Sequence, residues 1–403
     1  MRILVVNSGS SSIKFSLFDS GAAASVSEPT VVYDGELKDI GEAEAKVELR
    51  GPDGADFGLA GADPGRGRAA GTSAEAIRMI LGIVSGPEMP GVEAVGYRVV
   101  HPGAKLEGHQ RITEEVLRDL EEAVVFAPLH DPAVIDVIRA GMAKFPEVPH
   151  YACFDTVFHR TMPVEATTYP LPEAVRAEGV RRYGFHGLSC ESIVRQMRAA
   201  GELPKRMVIA HLGSGCSVTA VVDGCSVDTS MGMTPTGGVV MGTRPGDLDP
   251  GVVLYLVRKW GGVDAVETML NHEAGLVGLS GMANDVKEVR AAAAKGDEKA
   301  RLALKVFTRS VTKVAGGYAW LMGGLDVVVF AGGIGEHDPL TRAEVLAGLQ
   351  GMGVVVDLEL NAAKGSRMRL VSASDSATKI FVVPAQEDLM IAVHVDEMVR
   401  TGK

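Results

Sequence analysis

The sequence predicts an α/β protein that carries one domain pattern twice, and three observations support this. Two hairpins of a single design lie half a chain apart. In the first, strand 2–6, turn 7–12 and strand 13–18 follow one another; in the second, a β-branched run ending at His211 leads to turn 213–217 and alternating run 218–222. Gly9 matches Gly213, Ser10 matches Ser214 and Asp19 matches Asp223 at one constant offset, as an internal duplication requires. Elsewhere, short β-branched runs are interspersed with segments of helical period, the mark of strands mixed with amphipathic helices. Finally, 403 residues of which 46% are hydrophobic suffice for two cores.

Taken in order, residues 31–49 alternate as further strands. Residues 51–71, rich in Gly, Ala, Asp and Pro, read as an exposed excursion. Thr72 or Ser73 caps a helix reaching about Val84. Residues 92–100 form a buried strand that delivers Arg98 and leads to His101-Pro102-Gly103. An arginine set among valines and Tyr97 must be paired or functional, because a lone buried charge is costly. Residues 113–126 form an amphipathic helix and 127–130 a loop, after which Asp131-Pro132 opens a helix with a cap and a proline in its first turn. Strand 150–154 ends at Asp155, on the sheet edge where functional carboxylates often stand. The segment RRYGFHG (181–187) follows, with Ser189 expected to cap a helix.

Beyond Pro250 the pattern is helical over 251–260, 263–270, 283–294 and about 298–322. A buried strand, 326–330, enters a glycine turn over 331–336, and Asp338-Pro339 starts another helix. Residues 379–383 are the last strand, and Glu387 begins the closing helix. The expected domains are 1–150 with the closing helix 387–403, and 151–386.

Charge and cysteine usage exclude several classes. A formal net charge of −11 argues against nucleic acid as a partner. Cys153, Cys190, Cys216 and Cys225 show no C-x-x-C spacing and read as reduced thiols, neither a disulfide framework nor a zinc site. The most apolar long stretch, 314–325, is too short to span a bilayer, and the opening apolar run is too short for a signal peptide. A cytoplasmic protein with no membrane partner is expected.

Residues 208–250 carry most of the recognisable chemistry. Turn 213–217 has almost no side-chain bulk, so its N–H groups and hydroxyls suit an anion such as phosphate. Arg244, next to Pro245-Gly246-Asp247, is placed to grip a phosphoryl group bidentately. The strand, glycine turn and helix at 326–339 suit close approach to a nucleotide. Each signal has an ordinary alternative. Gly/Ser hairpins are common in sheet proteins, and a histidine between Phe185 and Gly187 is more often structural than catalytic. Helix-dipole stabilisation suffices to explain Glu387 and Asp388 in a first turn. No G-x-x-x-x-G-K-[ST] occurs, which speaks against a P-loop enzyme.

In combination, these segments resemble the acetokinase family of short-chain acyl kinases, part of the sugar kinase, heat-shock ATPase and actin superfamily. The matching stretches are VVNSGSSSIKFSLFD, RVVHPG, APLH-DP, FDTVFHRTMP, RRYGFHG, HLGSG-S, DTSMGMTP, MGTRPGDLDP, FAGGIGE and EDLMIA, in order from residue 3 to residue 392. The resemblance implies an α/β fold of two duplicated ribonuclease-H-like (actin-like ATPase) domains, with mixed sheets flanked by helices and the active site in the interdomain cleft. The first would be the acyl kinase domain and the second the nucleotide-binding domain. The implied activity is reversible phosphoryl transfer between ATP and acetate, dependent on Mg²⁺ or Mn²⁺, in a homodimer.

The same resemblance implies roles for particular residues. Asn7, Arg98, His186 and Arg244 would surround the phosphoryl group, with Asp155 and Glu387 holding or orienting the metal and Asn7 beside it. Lys14 and the loop His211, Leu212, Gly213, Ser214 and Gly215 would meet the nucleotide phosphates. Asp285, Val286 and Lys287, with Gly332, Gly333, Ile334, Gly335 and Glu336, would form the adenosine pocket. Val100, Leu129 and Pro235 would line a small acyl pocket, with Arg98 also meeting the substrate.

There are departures from the family pattern. Ser214 stands where the family usually has Asn, Cys190 where it has His, and Lys287 where it has Arg. Gly237 replaces Glu, Tyr97 replaces His and Pro102 replaces Gly. Propionate or butyrate as acceptor, or pyrophosphate as donor, is therefore an alternative. An actin-like nucleotide-switched binding protein is a further one, against which Arg98, Arg244 and RRYGFHG argue.

Overall fold

The computed structural model describes residues 1–9, 12–21, 28–38, 40, 46–54, 70–124, 131–282 and 284–402. The first elements are β1 (Arg2–Ser8), β2 (Ile13–Asp19), β3 (Thr30–Lys38), β4 (Lys46–Arg50), α1 (Ser73–Val84), β5 (Ala94–Val99), β6 (Gln110–Arg111), α2 (Glu114–Ala123), α3 (Asp131–Lys144) and β7 (His150–Phe154). There follow α4 (Val164–Thr167), α5 (Glu173–Arg176), α6 (Gly187–Ala199), β8 (Arg206–Leu212), β9 (Cys216–Val222) and β10 (Cys225–Thr229). Next come α7 (Pro250–Lys259), α8 (Val263–Thr268), α9 (Gly275–Ser280), α10 (Val286–Ala294), α11 (Glu298–Leu321), β11 (Val327–Ala331), α12 (Gly332–His337) and α13 (Pro339–Val345). The last are α14 (Leu358–Ala362), β12 (Arg369–Leu370), β13 (Lys379–Val382) and α15 (Glu387–Thr401).

These elements make two sheets of one plan. The first runs β4-β3-β2-β1-β5-β7-β6 and the second β10-β9-β8-β11-β13-β12. In each, three parallel strands (β1, β5, β7; β8, β11, β13) are extended on one side by an antiparallel hairpin partner. Parallel strands need helical cover on both faces, and β1, β5, β8 and β11 accordingly read as nearly unbroken buried runs.

The chain divides into one unit of Met1–Val157 with Gln386–Lys403 and another of Phe158–Ala385. In the first, α15 returns to cover its sheet at Gly96, where a Cβ would come within 2.7 Å of Ile391 and 2.8 Å of Val395. Glycine there lets the helix approach the strand closely. Leu4, Val6, Ile77, Ile80, Val95 and Phe154 belong to this unit's core, and Ile193, Met197, Ile209, Val329 and Phe381 to the other's.

Several local expectations change. Ser189 is not a cap: α6 begins at Gly187, with His186 as the preceding residue in a left-handed conformation (φ 59°). The expected glycine turn after β11 is already helical from Gly332, whose φ of 74° turns the chain at once. The helix expected from 283 starts at Val286, capped by Asp285, which accepts from the Lys287 N–H. The 263–270 segment is α-helical only to Thr268 and continues as a π-helical turn over Met269–Glu273. Leu129, the 127–130 loop and most of the 51–71 excursion lie outside the described residues. Among the described residues, no helix is long and apolar enough to cross a membrane.

Candidate active site

In the first unit, charged side chains gather where β1, β5 and β7 end and α15 begins. Arg98, one residue from the end of β5, donates through Nε to both oxygens of Asp155 at 3.1 Å and through Nη2 to Oδ2 at 2.5 Å. Its Nη1 donates to Asn7 Oδ1 at 3.2 Å and lies 3.6 Å from Glu387. Asn7 turns its Nδ2 toward Asp388 (2.9 Å) and Glu387 (3.4 Å), and Ser16 Oγ donates to Asp388 at 3.2 Å. Burial works against the Arg98 charge, but Asp155, Glu387 and Asp388 outweigh it and hold the guanidinium above its ordinary pKa. Burial raises the Asp388 pKa; Glu387 adds to this, while Asn7, Lys14 and Ser16 oppose it.

The mid-strand arginine is thus paired. Three carboxylates face one largely buried guanidinium, with Lys14 contributing a more distant positive charge. This oxygen-rich, acid-weighted set fits a hard divalent cation such as Mg²⁺, which takes one or two carboxylates and keeps waters. Glu387 and the Asn7 side-chain oxygen are the residues that would hold it. Asp155, 1% exposed, is engaged chiefly by Arg98.

A neighbouring histidine braces this edge. The Phe154 N–H donates to His109 Nδ1 at 3.0 Å, just past the short β6–β7 ladder, so the neutral ring carries its proton on Nε2. Burial, with His394 adding, pushes the His109 pKa down to about 3.

In the second unit the groups are neutral donors, two histidines and one arginine. His186 and His211 stack with ring centroids 4.1 Å apart. Their Nδ1 atoms meet Ser217 Oγ at 2.9 Å and Ser189 Oγ at 2.8 Å, which fixes both rings. A Cβ at Gly215 would lie 3.4 Å from His186 Nε2 and 3.8 Å from Arg244 Nη1, so glycine leaves an open position bordered by both. Arg244 Nη1 also donates to the Pro235 carbonyl at 3.0 Å. Burial lowers the Arg244 pKa, and it pushes the Cys216 thiol beneath the loop up to about 12.

The loop itself closes through the Gly213 N–H donating to Gly215 O at 3.0 Å. Opposite it, a Cβ at Gly332 would approach Leu212 O at 2.7 Å and His211 Nε2 at 3.1 Å, which requires glycine there. Glu336 accepts from the Gly332 and Ala385 N–H groups and therefore braces the turn.

A cavity of about 350 Å³ opens beside this loop, and Gly213, Ser214, Asp285, Val286, Lys287, Gly333 and Ile334 all line it. His211, Leu212, Gly215, Gly332, Gly335 and Glu336 do not line it but form the loop and turn beside it. Lys14, Val100 and Asn7 belong to the first unit and Pro235 to the second; Val100 and Pro235 are both buried. The sequence pattern placed Ser217 in the phosphate loop but did not point to Asn284, Arg290 or His337, and it gave Ser189 the wrong task. Arg290 lies against the cavity held by Asp338 at 2.5 Å and by Glu344 and Thr341; the cap Asp338 was the available hint.

The sequence profile described as the acetokinase family matches residues 2–393. Among similar proteins, the acetate kinase of Shouchella clausii (strain KSM-K16) is 40% identical, covering 97% of this chain and 98% of that protein. The acetate kinase of Leifsonia xyli subsp. xyli (strain CTCB07) is 41% identical, covering 99% of each. Among solved structures, Porphyromonas gingivalis acetate kinase superposes with a TM-score of 0.83 at 33% identity over 99% of both chains. A propionate kinase from Francisella tularensis subsp. tularensis SCHU S4 does so at 0.85 and 35% identity, covering 97% of this chain and 98% of its own.

Proposed function

The chain belongs to the acetokinase family, whose reaction passes a phosphoryl group to a carboxyl acceptor, and we propose that it converts ATP and acetate to ADP and acetyl phosphate, reversibly. The observation that carries this reading is the position at Gly215, bordered by His186 Nε2 and Arg244 Nη1. A carboxylate acceptor is already anionic and needs no general base. What the transfer needs is fixed donors around charge that develops on the phosphoryl oxygens.

In this reading, Arg244 and His186 donate to the phosphoryl group, and the loop from His211 to Gly215 holds the nucleotide phosphates. Asp285, Val286, Lys287, Gly333 and Ile334 receive the adenosine. Arg98, clamped by Asp155 and Asn7, neutralises acceptor charge. Mg²⁺, or Mn²⁺ in its place, would be held by Asn7 and Glu387 and supplies charge neutralisation on the phosphate oxygens when bound. The acyl group is assigned to Val100, Leu129 and Pro235, small or medium residues that suit a methyl group first and an ethyl group second. Transfer is direct, with His186 as donor and not as a phosphorylated nucleophile.

A cytoplasmic location, where ATP is available, and a homodimer belong to the same proposal. On the second unit, Tyr255 and Trp260 on or next to α7, and Trp320 (89% exposed) and Leu321 at the end of α11, are exposed large apolar side chains, and either end is a place where a partner would bury apolar surface. Light scattering that gave a monomer would reject the dimer. For the activity, a hydroxylamine trap for acyl phosphate across acetate, propionate and butyrate should rank acetate first. No acyl phosphate with any of the three would defeat the reading, and a butyrate preference would defeat the pocket assignment.

A further inference from the structure

The tip of the phosphate loop carries Ser214 where the family usually has Asn, yet a carboxamide is still present. It comes from a different segment. Asn284 donates from Nδ2 to Ser214 Oγ at 2.8 Å, and both residues line the 350 Å³ cavity. Its backbone is held through the next residue, because Asp285 is the N-cap of α10. Its side chain lies across Gly242, where any Cβ would collide with the carboxamide. Gly242 in turn donates its N–H to Ser214 O at 3.1 Å and accepts from the Val277 N–H at 2.9 Å. Two segments distant from it in sequence therefore hold one serine, and Val277 in turn holds Gly242.

The direction of these bonds decides what the serine can do. A hydroxyl has one proton and two lone pairs. Because Ser214 Oγ accepts from Asn284, its own proton is left to be donated elsewhere, and the cavity side is where an anion would receive it. Asn284 also keeps a second Nδ2–H. A hydroxyl whose rotation is restrained toward an anion gains over a free one, since less ordering remains to be done on binding.

We propose that Asn284 is a positioning residue for the phosphates of the nucleotide donor: it presets the Ser214 hydroxyl as a donor to a nucleoside di- or triphosphate, and Gly242 is glycine to make room for it. This rests on the reading that the cavity receives the nucleotide.

The test measures ADP and adenosine binding calorimetrically to the full chain and its variants, without acetate. Asn284→Ala should weaken ADP by about 3- to 10-fold, the scale of one net hydrogen bond, and leave adenosine unchanged. Gly242→Ala, whose Cβ would expel the carboxamide, should reproduce that loss. The double variant should be no worse than Gly242→Ala alone, because both remove one interaction. In steady state, the KM for ATP should rise in Asn284→Ala while the KM for acetate does not. Unchanged ADP affinity in Asn284→Ala, or an equal loss for adenosine, would overturn the positioning role while leaving the functional reading in place. Failure of the unmodified protein to bind ADP at all would instead overturn the reading beneath it.

Discussion

The two units share a sheet plan and differ in electrostatics. Each places a hairpin beside three parallel strands and gathers polar groups where those strands end. In the first unit these are a guanidinium and three carboxylates, Arg98 with Asp155, Glu387 and Asp388. In the second they are backbone N–H groups, hydroxyls, stacked His186 and His211, and Arg244. The pKa shifts obey the same split. Arg98 is pushed up by its acids despite burial, whereas burial draws Arg244 down. One frame thus supports an acid-rich set suited to a cation and a donor-rich set suited to an anion. The proposed reaction, with a divalent cation beside transferring phosphates, would use both sets.

The largest effect should come from the two arginines. Arg244→Ala and Arg98→Ala should each lower kcat by about 100- to 1,000-fold, the usual loss for one charge-stabilising donor. Arg→Lys should restore little, because an ammonium does not reproduce the guanidinium fork. Steady-state kinetics on folded variants, checked by circular dichroism, decides this. Near-full kcat in either alanine variant would remove that arginine from the reaction.

The acid-rich set makes a separate claim. Glu387→Ala should raise the Mg²⁺ concentration needed for half-maximal rate, since a carboxylate is a hard ligand for that ion. A variant that lost only thermal stability, with its metal dependence intact, would return Glu387 to helix-dipole stabilisation.

Acid sensitivity compares the units directly, because each holds a neutral histidine, half-buried His109 in the first and buried His159 in the second. His109 in the first is pushed down to about 3, chiefly by burial; His159 in the second to about 4, where burial outweighs its bond to Phe185 O. Both folded values lie below the unfolded value of 6.5. The unfolded chain therefore binds protons that the native one does not. Each histidine's contribution is full above pH 6.5 and falls as pH drops, by about 1.4 kcal/mol per unit, until the folded value is reached. Denaturant melts from pH 7 to 4.5 should show a shallower pH slope in His109→Gln and in His159→Gln than in the unmodified protein, whatever their stability at pH 7. Unchanged slopes would mean that neither ring is held neutral.

The smallest effect concerns chain length. Val100→Ala should shift preference toward propionate, chiefly through KM, at about 0.8 kcal/mol per buried methylene. An unchanged ranking in kcat/KM would remove Val100 from the acyl pocket.

Local signals in the sequence read well where the physics is local. The first hairpin, the helix capped by Thr72, the 24-residue α11 and the buried β11 all reflect period and cap. Arg98 could be singled out because a charge in an apolar strand demands a partner, and Asp155 answers it. The contacts that fix the site span longer distances. His186 meets Ser217 31 residues on, Ser214 meets Asn284 70 residues on, and Asn7 meets Asp388 381 residues on. No periodicity encodes such pairs. Ser189 misled because serine before a helix usually caps it; here the left-handed His186 starts the helix earlier and frees the hydroxyl for His211.

The central claim is direct transfer between an anion-holding donor set and a carboxylate acceptor, with no phosphorylated side chain between them. The stereochemistry at phosphorus tests it most directly, using ATP made chiral at its γ-phosphorus by oxygen isotopes and analysing the acetyl phosphate formed. A single in-line displacement predicts inversion. Retention, which requires two displacements and hence a phosphoryl-enzyme such as phosphorylated His186, would contradict it.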